Sequence, residues 1–178
     1  MTLNSAPDEI SFADDHTLLC VPFDHPRAGL SAEKLTSAEL LPDKDSSRFQ
    51  IHGVGRVLPL MPGDVVRAQL TPGGCTEVTR VESFGAGITM FIDPLSPAES
   101  DVDPLSLEVL QTIILRELGA GGFALVRNVD DALTAWAPTG TAYNEGGLHA
   151  YFKVKRLTPD RRKKLVNRYL SPVTSSLH

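Results

Sequence analysis

Arg56–Ile92 reads RVLPLMPGDVVRAQLTPGGCTEVTRVESFGAGITMFI, three strand-like runs separated by turns rich in Pro and Gly. Pro62-Gly63 suits the two central positions of a type II turn, where a residue of fixed φ precedes one that tolerates positive φ. Thr71-Pro72-Gly73-Gly74 turns the chain again. Asp64–Leu70 and Cys75–Glu82 therefore read as strands, and Gly85 and Gly87 permit a bend before Ile88–Ile92. Short strands in close succession, joined by tight turns, predict an antiparallel meander or a small barrel.

Working outward, His16–Phe23 is a strand ended by Pro22 and the turn-forming DHPRAG segment, and Lys34–Leu41 is a candidate partner for it. Arg48–Val54 sets Phe49 and Ile51 against Gln50 and His52, the period-2 pattern of a half-buried strand. Residues 94–103 form an acidic connector. Beyond it, Leu107, Val109, Leu110, Ile113, Ile114 and Leu118 fall on one half of a helical wheel and predict a helix over 104–118. Asp103 suits its N-cap, Pro104 its first position and Gly119 the residue after its end. Phe123–Asn128 and Ala132–Ala137 read as a hairpin, and alternation over Leu148–Lys155 predicts another strand. Thr158-Pro159-Asp160 opens a helix that runs to Leu170 and stops at Ser171-Pro172. The expected class is α+β. A β-rich lobe over residues 1–93 packs against an α+β lobe over 94–155, a sheet layered with one amphipathic helix, and a basic helix and tail occupy 156–178.

With 178 residues, 42% hydrophobic and 22% charged, and a mean hydropathy of -0.06, the composition is that of a globular protein. A chain of this length buries ~68–70% of its unfolded surface and requires no disulfide or metal staple. Cys20 and Cys75 lack CxxC spacing and read as two buried thiols in a reducing compartment. MTLNSAPDEI has neither the charge nor the apolar run of a signal peptide, and no apolar run suggests a membrane span, so the expected location is cytoplasmic. The net charge of -5 divides unevenly. Residues 1–150 carry 9 Lys and Arg against 21 Asp and Glu, and residues 151–178 carry 8 against the single Asp160.

That basic end holds the first candidates for contact with a nucleic acid or an acidic partner: Lys153, Lys155 and Arg156, then Arg161, Arg162, Lys163, Lys164 and Arg168. Solvation and docking on the acidic body compete with that reading, since Leu165, Val166, Tyr169 and Leu170 give the same helix an apolar face. Trp136, Tyr143, Tyr151 and His149 are candidate partner contacts, because aromatic anchors are enriched at interfaces. Core packing competes for the aromatic residues. The glycines of 119–122 follow a helix, whereas a phosphate loop precedes one, and they read as a cap and strand entry. His16, His25, His52, His149 and His178 show no metal-ligand spacing, and no serine or cysteine sits in a nucleophile motif. No catalytic residue, metal or cofactor is expected.

The opening strand ending at Val21-Pro22, the strand around Phe49, the segment Gly63-Asp64-Val65-Val66-Arg67-Ala68 and the helix ending Leu118-Gly119 together resemble a bacterial family catalogued as domain of unknown function 4265. The resemblance spans roughly residues 16–155 and supports the order of elements. It departs at Val57–Met61 and Ser83–Gly87, and the basic helix lies outside it. The function expected is a non-enzymatic cytosolic binding protein that engages another protein, with an immunity protein or antitoxin against a basic toxin as its sharpest form. A nucleic-acid-associated protein using the basic helix is the alternative, and a small-molecule sensor with a site between the lobes is the third reading.

Overall fold

The computed structural model describes residues 16–45, 47–95, 107–118, 121–128 and 132–172. The leading residues 1–14, the expected caps Asp103, Pro104 and Gly119, and the tail beyond Pro172 lie outside the described residues.

β1 (His16–His25), β2 (Gly29–Leu40), β3 (Arg48–Ile51), β4 (Val65–Leu70) and β5 (Thr76–Ser83) close in that order into a barrel. Neighbouring strands run antiparallel except at the seam, where β1 and β5 are parallel and register only at Leu19↔Thr76 and Cys20↔Glu77. Inward-pointing Leu19, Val21, Phe49, Ile51, Val66 and Val78 fill the barrel core. The expected Pro62-Gly63 turn brings the chain into β4, with Gly63 at φ 90°. Gly85 lies against that turn, where a Cβ would approach the Gly63 carbonyl carbon to 2.6 Å.

The cysteines overturn their expected state. Cys20 and Cys75 are joined in a disulfide, with Cα atoms 6.4 Å apart across the parallel seam. Strand register created this proximity between residues 55 apart in sequence, and the spacing of the two cysteines carries no trace of it.

A second sheet has the order β7-β8-β6-β9, all antiparallel. It consists of β6 (Ile88–Pro94), β7 (Ala124–Arg127), β8 (Leu133–Ala137) and β9 (Phe152–Arg156). The expected boundary at 93/94 is thereby corrected: Ile88–Ile92, assigned to the first lobe, is a central strand of the second sheet. Alternation reveals that Ile88, Met90 and Ile92 share a face but not which sheet buries it. α1 (Leu107–Glu117) covers that face with Leu110, Ile113 and Ile114, joined by Leu118 just beyond its end. Val109, expected on the apolar face, is exposed.

The expected strand over 148–155 is divided. Residues 145–149 form the short helix α2 (Glu145–His149), begun by Asn144, whose side-chain oxygen accepts the Gly147 N–H at 3.0 Å. Only Phe152 onward joins the sheet. Apolar alternation across Leu148–Phe152 concealed this local cap.

α3 (Pro159–Tyr169) starts as expected on Thr158, whose hydroxyl accepts the Arg161 N–H at 3.3 Å. Beyond its end, Leu170 bridges to Phe23, and the Ser171 N–H donates to the Pro22 carbonyl at 3.0 Å. The last described helix thus closes onto the first described strand. Treating 156–178 as a separate unit is corrected for the described part, because Val166 belongs to the barrel core.

Candidate functional site

Arg162, expected among the solvent-facing cations, is 2% exposed. Its Nη1 and Nη2 donate to Asp64 Oδ2 at 2.8 Å and Oδ1 at 3.1 Å, forming a fork on the carboxylate. The same nitrogens donate to the carbonyls of Pro59 at 3.2 Å and Gly85 at 2.9 Å. The Met61 and Gly85 N–H groups donate to Asp64 Oδ2 and Oδ1 at 2.8 and 2.7 Å. Burial pushes the Asp64 carboxyl above its ordinary value, and Arg162 and these backbone donors pull it down. Each carboxylate oxygen already accepts two bonds, which leaves no comfortable place for a proton. The guanidinium also lies 5.2 Å from the Phe84 ring centroid, so a single side chain plugs α3 into the barrel end.

Docking sorts the remaining cations. Val166 is buried beside Arg162, and Leu165 and Tyr169 are half-buried. Arg161, Lys163, Lys164 and Arg168 are exposed and form the outer ridge of α3. Arg156 is separated from that set: it donates to the Tyr143 hydroxyl and, at 2.9 Å, to Glu145 Oε2. Lys153 and Lys155 are exposed on β9, opposite Asp93 and Phe91 in register.

Among the described residues, the aromatic candidates take separate places. Tyr143 packs edge-on against Phe123 at 5.4 Å, and burial pushes its phenol above its ordinary value against the opposing pull of Arg156. Tyr151 is half-buried against the second core. Trp136 lies over Gly87, where a Cβ would meet the indole nitrogen at 2.4 Å, and that buried nitrogen has no partner among the described residues. His149 lies on α2, 3.5 Å from Glu145, and His52 lies 3.3 Å from Glu39 on the barrel.

A row of arginines crosses the barrel wall at Arg48↔Arg67↔Arg80. Glu82 ties the row together, accepting from Arg48 Nε at 2.7 Å and Arg67 Nε at 2.5 Å, with Arg80 3.6 Å away. Arg67 also pairs with Asp43. Like charges placed opposite one another in a sheet are compensated here by shared carboxylates. No group of three or more His, Cys, Asp and Glu residues suited to a metal ion occurs among the described residues. No helix there is long and apolar enough to cross a membrane.

Sequence reasoning missed Asp64 and the Cys20–Cys75 pair. An available signal for Asp64 was an acidic residue directly after a Pro-Gly turn and between apolar neighbours, where a buried carboxylate demands a cationic partner.

No family model and no curated protein matches the chain. Among solved structures, a hypothetical protein from Neisseria gonorrhoeae is similar at 16% identity and a TM-score of 0.48, over 79% of this chain and 92% of that one.

Proposed function

We propose that the chain is a non-enzymatic binding protein that engages another protein through the outer ridge of α3. The observation that carries this reading is the separation of α3 into two faces. Arg162 and Val166 are consumed in holding the helix, while Arg161, Lys163, Lys164 and Arg168 face outward on a helix whose position is fixed. A rigid cationic ridge offers charge complementarity without the ordering cost of a free tail. It suits a partner with an acidic surface. The net charge of -5 opposes a nucleic acid, with its dense and extended phosphate charge, more than a local acidic patch on a protein, which makes nucleic acid the alternative.

An immunity protein or antitoxin acting on a basic toxin is a separate protein-binding reading, drawing on the acidic residues of 1–150 in place of the ridge. The likeness to domain of unknown function 4265 concerns the order of elements and leaves the choice of partner open. The proposed compartment changes with the cysteines: a disulfide is kept in an oxidising compartment and lost in the reducing cytosol that their spacing had suggested.

The test is affinity purification with tagged wild type beside a Lys163→Glu/Lys164→Glu variant of unchanged melting temperature. The expected result is one protein partner that rebinds purified wild type and is lost with the variant. Equal retention by both, or a steeply salt-dependent shift of duplex DNA by wild type alone, overturns the reading.

A further inference from the structure

A cavity of about 220 Å³ lies where the barrel, the second sheet and α3 meet. Its walls include His25 at the end of β1, Arg56 and Val57 of the 55–59 segment, Phe91 of β6, and Leu165 and Tyr169 of α3. We propose that this cavity binds a small organic anion carried on an apolar body. The site meets the α3 ridge only at Arg168, and its binding does not depend on a protein partner.

The donors carry the assignment. Arg56 Nε donates to the Arg127 carbonyl at 3.1 Å, which fixes the plane of the guanidinium. Its terminal nitrogens have no protein acceptor among the described residues and remain available for the fork that recognises a carboxylate or phosphate. His25 Nδ1 accepts the Arg27 N–H at 3.2 Å, so the neutral ring carries its own proton on Nε2 and offers a second donor. The His25 ring lies 5.0 Å from that of Tyr169, and the Arg168 guanidinium sits 5.5 Å from the other partner of this contact, the Tyr169 ring centroid. No described residue lining the cavity bears a carboxylate. On a chain with a net charge of -5, this leaves a locally cationic recess.

Among the described residues, the Glu33 carboxylate acts electrostatically on Arg56 but makes its hydrogen bonds to the main chain. Its two oxygens accept the N–H groups of Arg56 at 2.5 Å and Val57 at 3.0 Å. That pinning and the tight return at Gly55, where a Cβ would stand 2.2 Å from the Leu58 carbonyl oxygen, hold this wall in place before any ligand arrives. Phe91, Val57 and Leu165 supply the apolar surface that a bare inorganic anion leaves unused.

Phenyl phosphate, benzoate, inorganic phosphate and benzyl alcohol, titrated separately into the ¹⁵N-labelled chain, test the assignment. Saturable amide shifts are expected for phenyl phosphate or benzoate at 25, 55–58, 165 and 169, with weaker binding of inorganic phosphate and none of benzyl alcohol. Arg56→Met is expected to weaken the organic anion by about ten-fold or more. Leu165→Trp, which fills the cavity from α3, should abolish binding while preserving the remaining spectrum, and it decides the matter if Arg56→Met perturbs the fold. Lys163→Glu should bind as wild type does. The proposal fails if neither organic anion gives saturable shifts, if the shifts confine themselves to the outer face of α3, if benzyl alcohol binds equally well, or if Leu165→Trp binds unchanged.

Discussion

The barrel and the four-stranded sheet both bury a continuous apolar core, but they manage their boundaries differently. The sheet leaves β7 and β9 as edges and covers one face with helices. The barrel removes its edges by closure, at a seam where β1 and β5 register at only two positions. That short seam is reinforced by the Cys20–Cys75 bond, and the barrel end is held by Arg162 from 98 residues away. Closure concentrates stability in a few long-range links, whereas a helix-covered sheet spreads it over many apolar contacts.

Arg162→Ala is the severest test of that contrast. It strands Asp64 as a buried unpaired charge, and a loss of ~3–5 kcal/mol is expected from denaturant unfolding. Hydrogen exchange should rise first in β3–β5 and less in β6 and β8. The double replacement Asp64→Leu/Arg162→Met should recover most of the loss, because apolar side chains of similar volume often replace a buried ion pair without penalty.

Opening the seam comes next. Cys20→Ser/Cys75→Ser releases a constraint between residues 55 apart, worth about 4 kcal/mol in the chain-entropy picture. Reductant should lower the wild-type melting temperature towards that of the variant and leave the variant unchanged. If reductant changes neither, the seam holds without its covalent link.

On the sheet side, Ile114→Ala is expected to cost ~2–4 kcal/mol through the cavity left beneath α1. Trp136, the single tryptophan, lies in this sheet and reports its unfolding by fluorescence. A midpoint that falls by fluorescence before barrel exchange rises would separate the two regions. Coincident transitions would mean that α3 and the 55–59 segment couple them.

The smallest effect concerns Glu82. Arg67, and then Arg48, hold its carboxyl below the ordinary value. Its contribution to stability is therefore present above the unfolded carboxylate range and is lost as pH falls through the depressed folded value. The stability gap between wild type and Glu82→Gln should shrink on acidification below about pH 5. A constant gap would remove the arginine row from the forces that hold the barrel wall.

Much of the local structure was legible in the residues. Period-2 alternation marked β3, the turns at Pro62-Gly63 and Thr71–Gly74 bracketed β4, and Thr158-Pro159-Asp160 announced α3. The division at Asn144 was missed because a side-chain cap outweighed an apparent strand pattern. Arg162 was grouped with its charged neighbours because sequence records charge but gives no indication of which member of a cationic run meets a buried acid.

What the sequence determined by itself was the series of short strands, the two longer helices and the separation of acidic from basic residues. These depend on backbone preference and side-chain period within a few residues. Tertiary structure decided that β6 joins the second sheet, that Cys20 meets Cys75 across a parallel seam, that Arg162 locks on Asp64, and that His25 and Arg56 share a cavity with α3. Each of these joins residues far apart along the chain, and such meetings are fixed by strand register and chain closure, which no local pattern encodes.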